Sequence, residues 1–338
     1  MRSVRLGRTG EQVSQLALGA MLMGTSTDEA TSVGMLERYL EAGGTFIDTA
    51  DCYAWWPGPG LTGGESEELL GRWLAKSGKR DEIFLATKGS AWVRDAEAIR
   101  SGDGSYETMA AQWVGAGGDT LRQAIDGSLR RLGTDHVDLY YVHVDDRSTP
   151  LEETLEALAE IVAAGKARYI GWSNVRTWRL ERIRALAEKN GWPAPVAVQQ
   201  QHSYLRPKAG LDSLSNVESI VDDEQVDYLR ANDDLTLVAY SPILKGIYDD
   251  PAKREGHPIM SLYAGPDADA RLAALTEVAA ELDVTPNQLV ISWLLHQTDP
   301  ELITLMGPRT PEQLETALAA SDIKLTEDQL DRLDNAGA

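Results

Sequence analysis

Cysteine is nearly missing from this chain: Cys52 is the single one in 338 residues. That count excludes an internal disulfide, and a structural zinc site would need ligands of other types. Cations are scarce too. Lys and Arg total 32 against 53 Asp and Glu, a formal net charge of −21. Such a balance disfavours nucleic acid and anionic membranes as partners. The acidic excess is spread along the chain with no acidic tail, as a solvated surface would have it. No stretch approaches the roughly 20 apolar residues of a membrane span. The opening MRSVRLGRTGEQ holds no apolar run of the signal-peptide kind. A GxGxxG turn after the first strong strand is also lacking. That turn reads LGAMLMG, which argues against a dinucleotide-binding domain of the open-sheet type. A cytoplasmic protein, monomeric or a weak homo-oligomer, is the expectation.

What is present has a rhythm. Apolar residues make up 43% and charged residues 25%, as in ordinary globular proteins. After two short strands around Gly7–Gly10, eight apolar runs alternate with helical segments. The runs are Gln15–Gly19, Thr45–Thr49, Ile83–Lys88, Val137–His143, Arg168–Ser173, Val196–Gln199, Leu235–Tyr240 and Leu302–Met306. The helices read as Glu29–Ala42 (capped by Asp28), Glu65–Lys76, one capped by Asp119 and running to Arg131, Leu151–Ala164, Trp178–Lys189, Asp222–Ala231, Ala268–Leu282, Pro286–Leu295, Pro311–Ala320 and Thr326–Asn335. Continuous apolar runs suit parallel strands buried on both faces. Eight repeats predict an α/β fold, a single (β/α)8 barrel over residues 1–338 with an N-terminal β-hairpin.

Polar residues stand at the ends of these runs: Asp48, Lys88, His143, Asn174, Gln199, Tyr240 and Arg309. In a parallel barrel all strand C-termini meet at one face, where barrel enzymes keep their chemistry. The long connections Ala54–Gly64, Gly89–Gly118, Gln200–Val221 and Pro242–Pro266 all follow strands, so they would overhang the same mouth as a lid or substrate wall.

Asp48, Tyr53, Lys88 and His143 form the central constellation. A phenol titrates near about 10 and is a poor acid at neutral pH. A Lys cation beside it would lower that value, and an Asp would hold the Lys. A His at the mouth could donate a hydrogen bond to a substrate oxygen. Together they could protonate an alkoxide forming on a carbonyl carbon. Each residue also has a plain alternative: a turn former, a packing aromatic, a strand-end charge, a core histidine.

The residues FIDTADCY resemble the DTAxxY signature of the aldo-keto reductase superfamily. TGGESEELLGRWL, ATK, DLYYVH followed by VDD, GKARYIGWSN, VQQQHSYL, AYSP, TPNQLVISWLL and MGPRTPEQLE resemble its later motifs, in order and over nearly the whole chain. EAGGTFIDTA, RRLGTDHVDLYYVHVDDRS and QQQHSYLRP resemble actinobacterial oxidoreductases of this superfamily most. The resemblance implies a barrel that uses NADPH or NADH with no metal and no flavin. It implies Tyr53 as proton donor, Lys88 and Asp48 as its tuning pair and His143 as orienting residue. Ser173, Asn174 and Gln199 would hold the nicotinamide carboxamide, and Tyr240 would stack under the ring. Ser241, Pro242 and the turn to Gly246 would pass under the pyrophosphate. Gly307, Arg309 and Gln313 would face the adenosine end, with Arg309 able to clamp a 2′-phosphate and so favour NADPH.

Departures from the family pattern are also visible. Asp51-Cys52-Tyr53-Ala54 places a thiol beside the proton donor, most simply as a small buried apolar residue. Thr316 and Ala317 replace a Glu-Asn pair that commonly binds adenine. Met306 replaces a polar residue, and His202 a tyrosine. Trp55, Trp56, Trp92 and Trp113 lie in the mouth loops, where they would either stack on an apolar or sugar-like carbonyl substrate or simply pack the loops. Competing expectations are a cofactor-binding redox sensor like the channel beta subunits, and an unrelated barrel such as a sugar-phosphate isomerase. The chain has no long N-terminal extension and its tetrad is intact, which favours the carbonyl-reducing enzyme.

Overall fold

In the computed structural model, residues 1–103, 105–208 and 220–337 are described. Gly104 and residues 209–219 of the long connection after Gln200 lie outside them.

Strands β1 (Ser3–Arg5) and β2 (Gln12–Ser14) form the antiparallel hairpin, with Val4 opposite Val13. Gly7 turns it at φ +50°, where an added Cβ would lie 2.3 Å from the Asp234 carbonyl oxygen, so only glycine fits. Eight parallel strands then close on themselves: β3 (Leu16–Gly19), β4 (Phe46–Asp48), β5 (Phe84–Gly89), β6 (Val137–Val142), β7 (Ala167–Ser173), β8 (Ala197–Gln201), β9 (Thr236–Tyr240) and β10 (Leu302–Met306). β10 pairs back onto β3, Met306 beside Leu18, which closes the (β/α)8 barrel.

Burial on both faces explains the unbroken apolar runs. Along β8, Ala197 packs inside the barrel and Val198 in the layer under the helices. Gln199 then points in and bonds Asp48, while Gln200 points out and donates to the Val175 carbonyl. Val4, Leu6 and Val13 of the hairpin share a cluster with Phe46, Phe84 and Ala197, which open their strands. The hairpin therefore plugs the N-terminal end of the barrel and leaves the C-terminal end for chemistry.

The covering helices are α1 (Glu29–Glu41), α2 (Glu65–Ser77), α5 (Gly118–Leu132), α6 (Leu151–Ala163), α7 (Thr177–Asn190), α8 (Asp223–Ala231), α10 (Pro266–Glu281), α11 (Pro286–His296), α12 (Pro311–Ala320) and α13 (Glu327–Asn335). Asp28 caps α1 by accepting from the Thr31 amide at 2.9 Å. Asp119 does not cap α5. The cap is Gly117, and the Gly118 amide is satisfied by the Glu153 carboxylate of α6 at 2.9 Å, leaving Asp119 to pair with Arg122. The mouth connections also hold structure not expected from sequence. Helices α3 (Ala96–Ser101) and α4 (Tyr106–Ala110) lie between β5 and α5, and α9 (Pro251–Arg254) lies after β9.

Candidate active site

The end of β4 and the turn after it deliver Asp48, Thr49 and Tyr53 together. The Tyr53 amide donates back to the Ala50 carbonyl, and Ala54 takes a left-handed φ of 75°. Lys88, near the end of β5, is fully buried. An ammonium has three donors and no acceptor. All three are engaged: Nζ pairs with Asp48 Oδ1, donates to the Thr49 carbonyl at 2.8 Å and donates to the Tyr53 hydroxyl at 3.0 Å. Because Lys88 can only donate, the Tyr53 oxygen accepts there and its own proton is left for another acceptor. The second Asp48 oxygen accepts from Gln199 Nε2 at 2.8 Å.

Sequence reasoning expected Lys88 to acidify the phenol. The buried site does the reverse: burial, then the negative charge of Asp48, pushes Tyr53 well above the usual phenol value. The phenol is protonated in the resting site, and Lys88 stands ready to stabilise charge once the proton leaves. Burial also pushes the Asp48 carboxyl up, against the pull of Lys88 and Gln199. His143 follows β6, with its ring edge-to-face to Tyr53, centroids 5.4 Å apart. Burial and the Lys88 charge push it well below the usual imidazole value, so it is neutral. Its Nδ1 lies 3.5 Å from Cys52 Sγ.

A second chain of hydrogen bonds runs along the ends of β7 to β9. The Tyr240 hydroxyl donates to Asn174 Oδ1 at 2.8 Å. Asn174 Nδ2 donates to the His143 carbonyl at 2.7 Å and to Ser173 Oγ at 3.1 Å, and Ser173 Oγ donates to the Gln199 carbonyl at 2.7 Å. Asn174 sits at φ +53°, which asparagine tolerates better than most residues. After β9 the backbone turns through Ser241 (φ 53°), Leu244 (44°), Lys245 (62°) and Gly246 (83°), with Pro242 buried between. The Lys253 ammonium donates to the Lys245 carbonyl at 2.5 Å. Strained, left-handed turns concentrate at functional sites, and concave turns of this kind present backbone N–H groups to anions.

The remaining predicted residues are placed as follows. Gly307 and Arg309 are exposed beyond β10, and a Cβ at Gly307 would meet nothing within 4 Å. Gln313 accepts from the Arg309 amide at 2.8 Å, fixing the loop at the start of α12. Ala317 is buried in the core and Thr316 bonds its own helix, so neither supplies what the common Glu-Asn pair would. Trp56 is 37% exposed and stands edge-on to Tyr53 at 6.2 Å, with the buried Trp55 behind it. Trp113 packs beside Ala50, Cys52 and Ala91. Trp92 turns the other way and stacks under the Arg131 guanidinium at 5.2 Å. His202 lies near Trp293, and burial brings it down to about 4.

Sequence reasoning missed the Thr49 carbonyl, the third partner of Lys88, because any residue type supplies a carbonyl. It also gave Cys52 no link to His143. Among the described residues, ligand-type atoms of Asp51, Cys52 and His143 come within 4.8 Å of one another, so this trio is where a metal ion would find donors.

The chain is similar to known proteins over nearly its whole length. The model of the aldo/keto reductase family matches residues 15–338. An uncharacterized oxidoreductase of Bacillus subtilis, YrpG, is 32% identical over 99% of this chain and 95% of its own length. The norsolorinic acid reductase of Emericella nidulans is 30% identical over 95% of this chain and 77% of its own. Among solved structures, the thermostable aldo-keto reductase Tm1743, bound to the inhibitor epalrestat, superposes with a TM-score of 0.71 at 28% identity, covering 99% of both chains. The chain belongs to the aldo/keto reductase family.

Proposed function

We propose that this protein, one barrel domain over residues 1–338, reduces an aldehyde or ketone to an alcohol with NADPH as cofactor, NADH being the alternative. The observation that carries this is the phenol of Tyr53, held by a saturated Lys88 so that its proton faces away from the lysine. The residues suit a pyridine nucleotide. Amide and hydroxyl groups of Ser173, Asn174 and Gln199 lie together at the strand ends, Tyr240 stands beside them, and the Lys253 ammonium sits on the left-handed turn from Ser241 to Gly246. When bound, the reduced nicotinamide supplies hydride to the carbonyl carbon. As negative charge grows on the carbonyl oxygen, Tyr53 donates its proton there. Lys88 stabilises the phenolate left behind, and Asp48 balances Lys88. Neutral His143 orients the carbonyl by a hydrogen bond to its oxygen. Trp56, Trp55 and Trp113 would form the substrate wall, which favours an apolar or sugar-like carbonyl, with Trp92 bracing the loop.

A cytoplasmic, monomeric or weakly associating enzyme fits the acidic composition, and no described helix is long and apolar enough to cross a membrane. Its likeness to actinobacterial oxidoreductases belongs to the same proposal. A panel of carbonyls and alcohols, run with each cofactor while following reduced-nicotinamide absorbance, tests it. Turnover of carbonyls with NADPH is expected. Bound cofactor with no turnover across the panel would contradict it.

A further inference from the structure

The mechanism needs His143 to offer an N–H to the substrate oxygen. A neutral imidazole has one N–H and one bare nitrogen, and its partners decide which is which. Cys52 and Tyr53, neighbours in the chain, both meet this ring. The phenol stands edge-to-face to it, and the Cys52 sulfur lies 3.5 Å from Nδ1. Asp51, Tyr53 and Lys88 are the other titratable groups around it. An ordinary thiol titrates near about 8.5 and burial favours its neutral form, so the buried Cys52 sulfur keeps its proton at neutral pH. Two pairings are open: S–H donates to a bare Nδ1, or Nδ1–H donates to sulfur. A thiol sulfur is a weak acceptor, whereas a bare imidazole nitrogen is a good one. The first pairing is favoured.

We propose that Cys52 is a positioning residue: its thiol donates to Nδ1 of His143 and holds the ring as the Nε2–H tautomer, the form that can donate to a carbonyl oxygen. No proton changes hands in the resting site. The thiol acts only through the histidine. The consequence for catalysis rests on the proposed carbonyl reduction, but the tautomer can be read without turnover.

The test is long-range proton–nitrogen NMR on histidine-labelled protein, with His143 assigned by its loss in His143→Gln. Wild type is expected to show a bare Nδ1 and a protonated Nε2. Cys52→Ser, which keeps a donor, should preserve that signature. Cys52→Ala should shift it toward a mixture, with kcat lower by about three- to tenfold, the effect of one neutral hydrogen bond. KM and cofactor affinity should stay unchanged, and serine should restore most of the loss. A protonated Nδ1 in wild type overturns the proposal. So does an unchanged signature in Cys52→Ala, even if activity falls, because the thiol would then be only packing. The expected signatures in a protein that turns over no carbonyl would refute the proposed reduction and leave the role of Cys52 standing.

Discussion

Asp51 is a carboxyl buried with one oxygen, Oδ1, unpartnered among the described residues. Burial, and then the Glu67 charge, raises it to about 8. In the unfolded chain it would titrate near about 3.9. Between those values the folded protein holds a proton that the unfolded chain releases. The stability from this group is therefore complete below the lower value and is lost as pH rises through about 8. Asp51→Asn removes that titration. Thermal melts of both proteins should show the variant gaining on wild type by a few degrees between about pH 5 and about pH 9. A constant difference would mean that Asp51 is already ionised in the fold. His202, brought down to about 4, acts in the acid range. Its contribution is complete above about 6.5 and fades as pH falls toward about 4. Arg309 tests cofactor choice. If it clamps a 2′-phosphate, Arg309→Ala should weaken NADPH by about 1–3 kcal/mol, as charge-assisted hydrogen bonds do, and leave NADH nearly unchanged. Titrations with both cofactors check this. Equal weakening of both would remove the 2′-phosphate role and make NADH the better proposal.

Elements meet closely where side chains are smallest. Gly71 of α2 faces α5 so tightly that an added Cβ would lie 2.0 Å from the Arg131 carbonyl oxygen. The same α5 residue sends its guanidinium to the fully buried Glu67 of α2 and over the ring of Trp92, so this helix pair also braces the mouth. Gly71→Ala gains helix propensity but must push the helices apart, and overpacking costs about 1–3 kcal/mol. A lower melting temperature is expected by calorimetry. An unchanged or higher one would show that the pair slides freely. The long connection after β5 is pinned as well. Arg100 of α3 donates to the Trp55 carbonyl at 2.6 Å and the Leu61 carbonyl at 3.2 Å, tying together the two loops that carry the tryptophans. That tie spans some forty residues and ends on backbone oxygens, so side-chain patterns could not reveal it.

Across the whole molecule, the barrel was legible because each strand is buried on both faces, and Leu302–Met306 and Pro311–Ala320 end where their sequence patterns end. Caps made by the helix's own neighbours were legible too, as with Asp28. The start of α5 was not, because the acceptor for its Gly118 amide comes from Glu153 on another helix. Short α3 and α4 were missed, being too brief to show a period. That Asp48 and Lys88 meet was readable from strand-end positions, and Tyr53 joined them through its place in the turn after Asp48. The sign of the Tyr53 shift was not, since desolvation depends on packing that no motif encodes. That phenol is the proposed proton source. Its most direct test is single-turnover oxidation of enzyme-bound NADPH by an aldehyde, comparing wild type with Tyr53→Phe. The variant is expected to bind NADPH as wild type does and to react at least about 100-fold more slowly. Equal rates in the two proteins would contradict it.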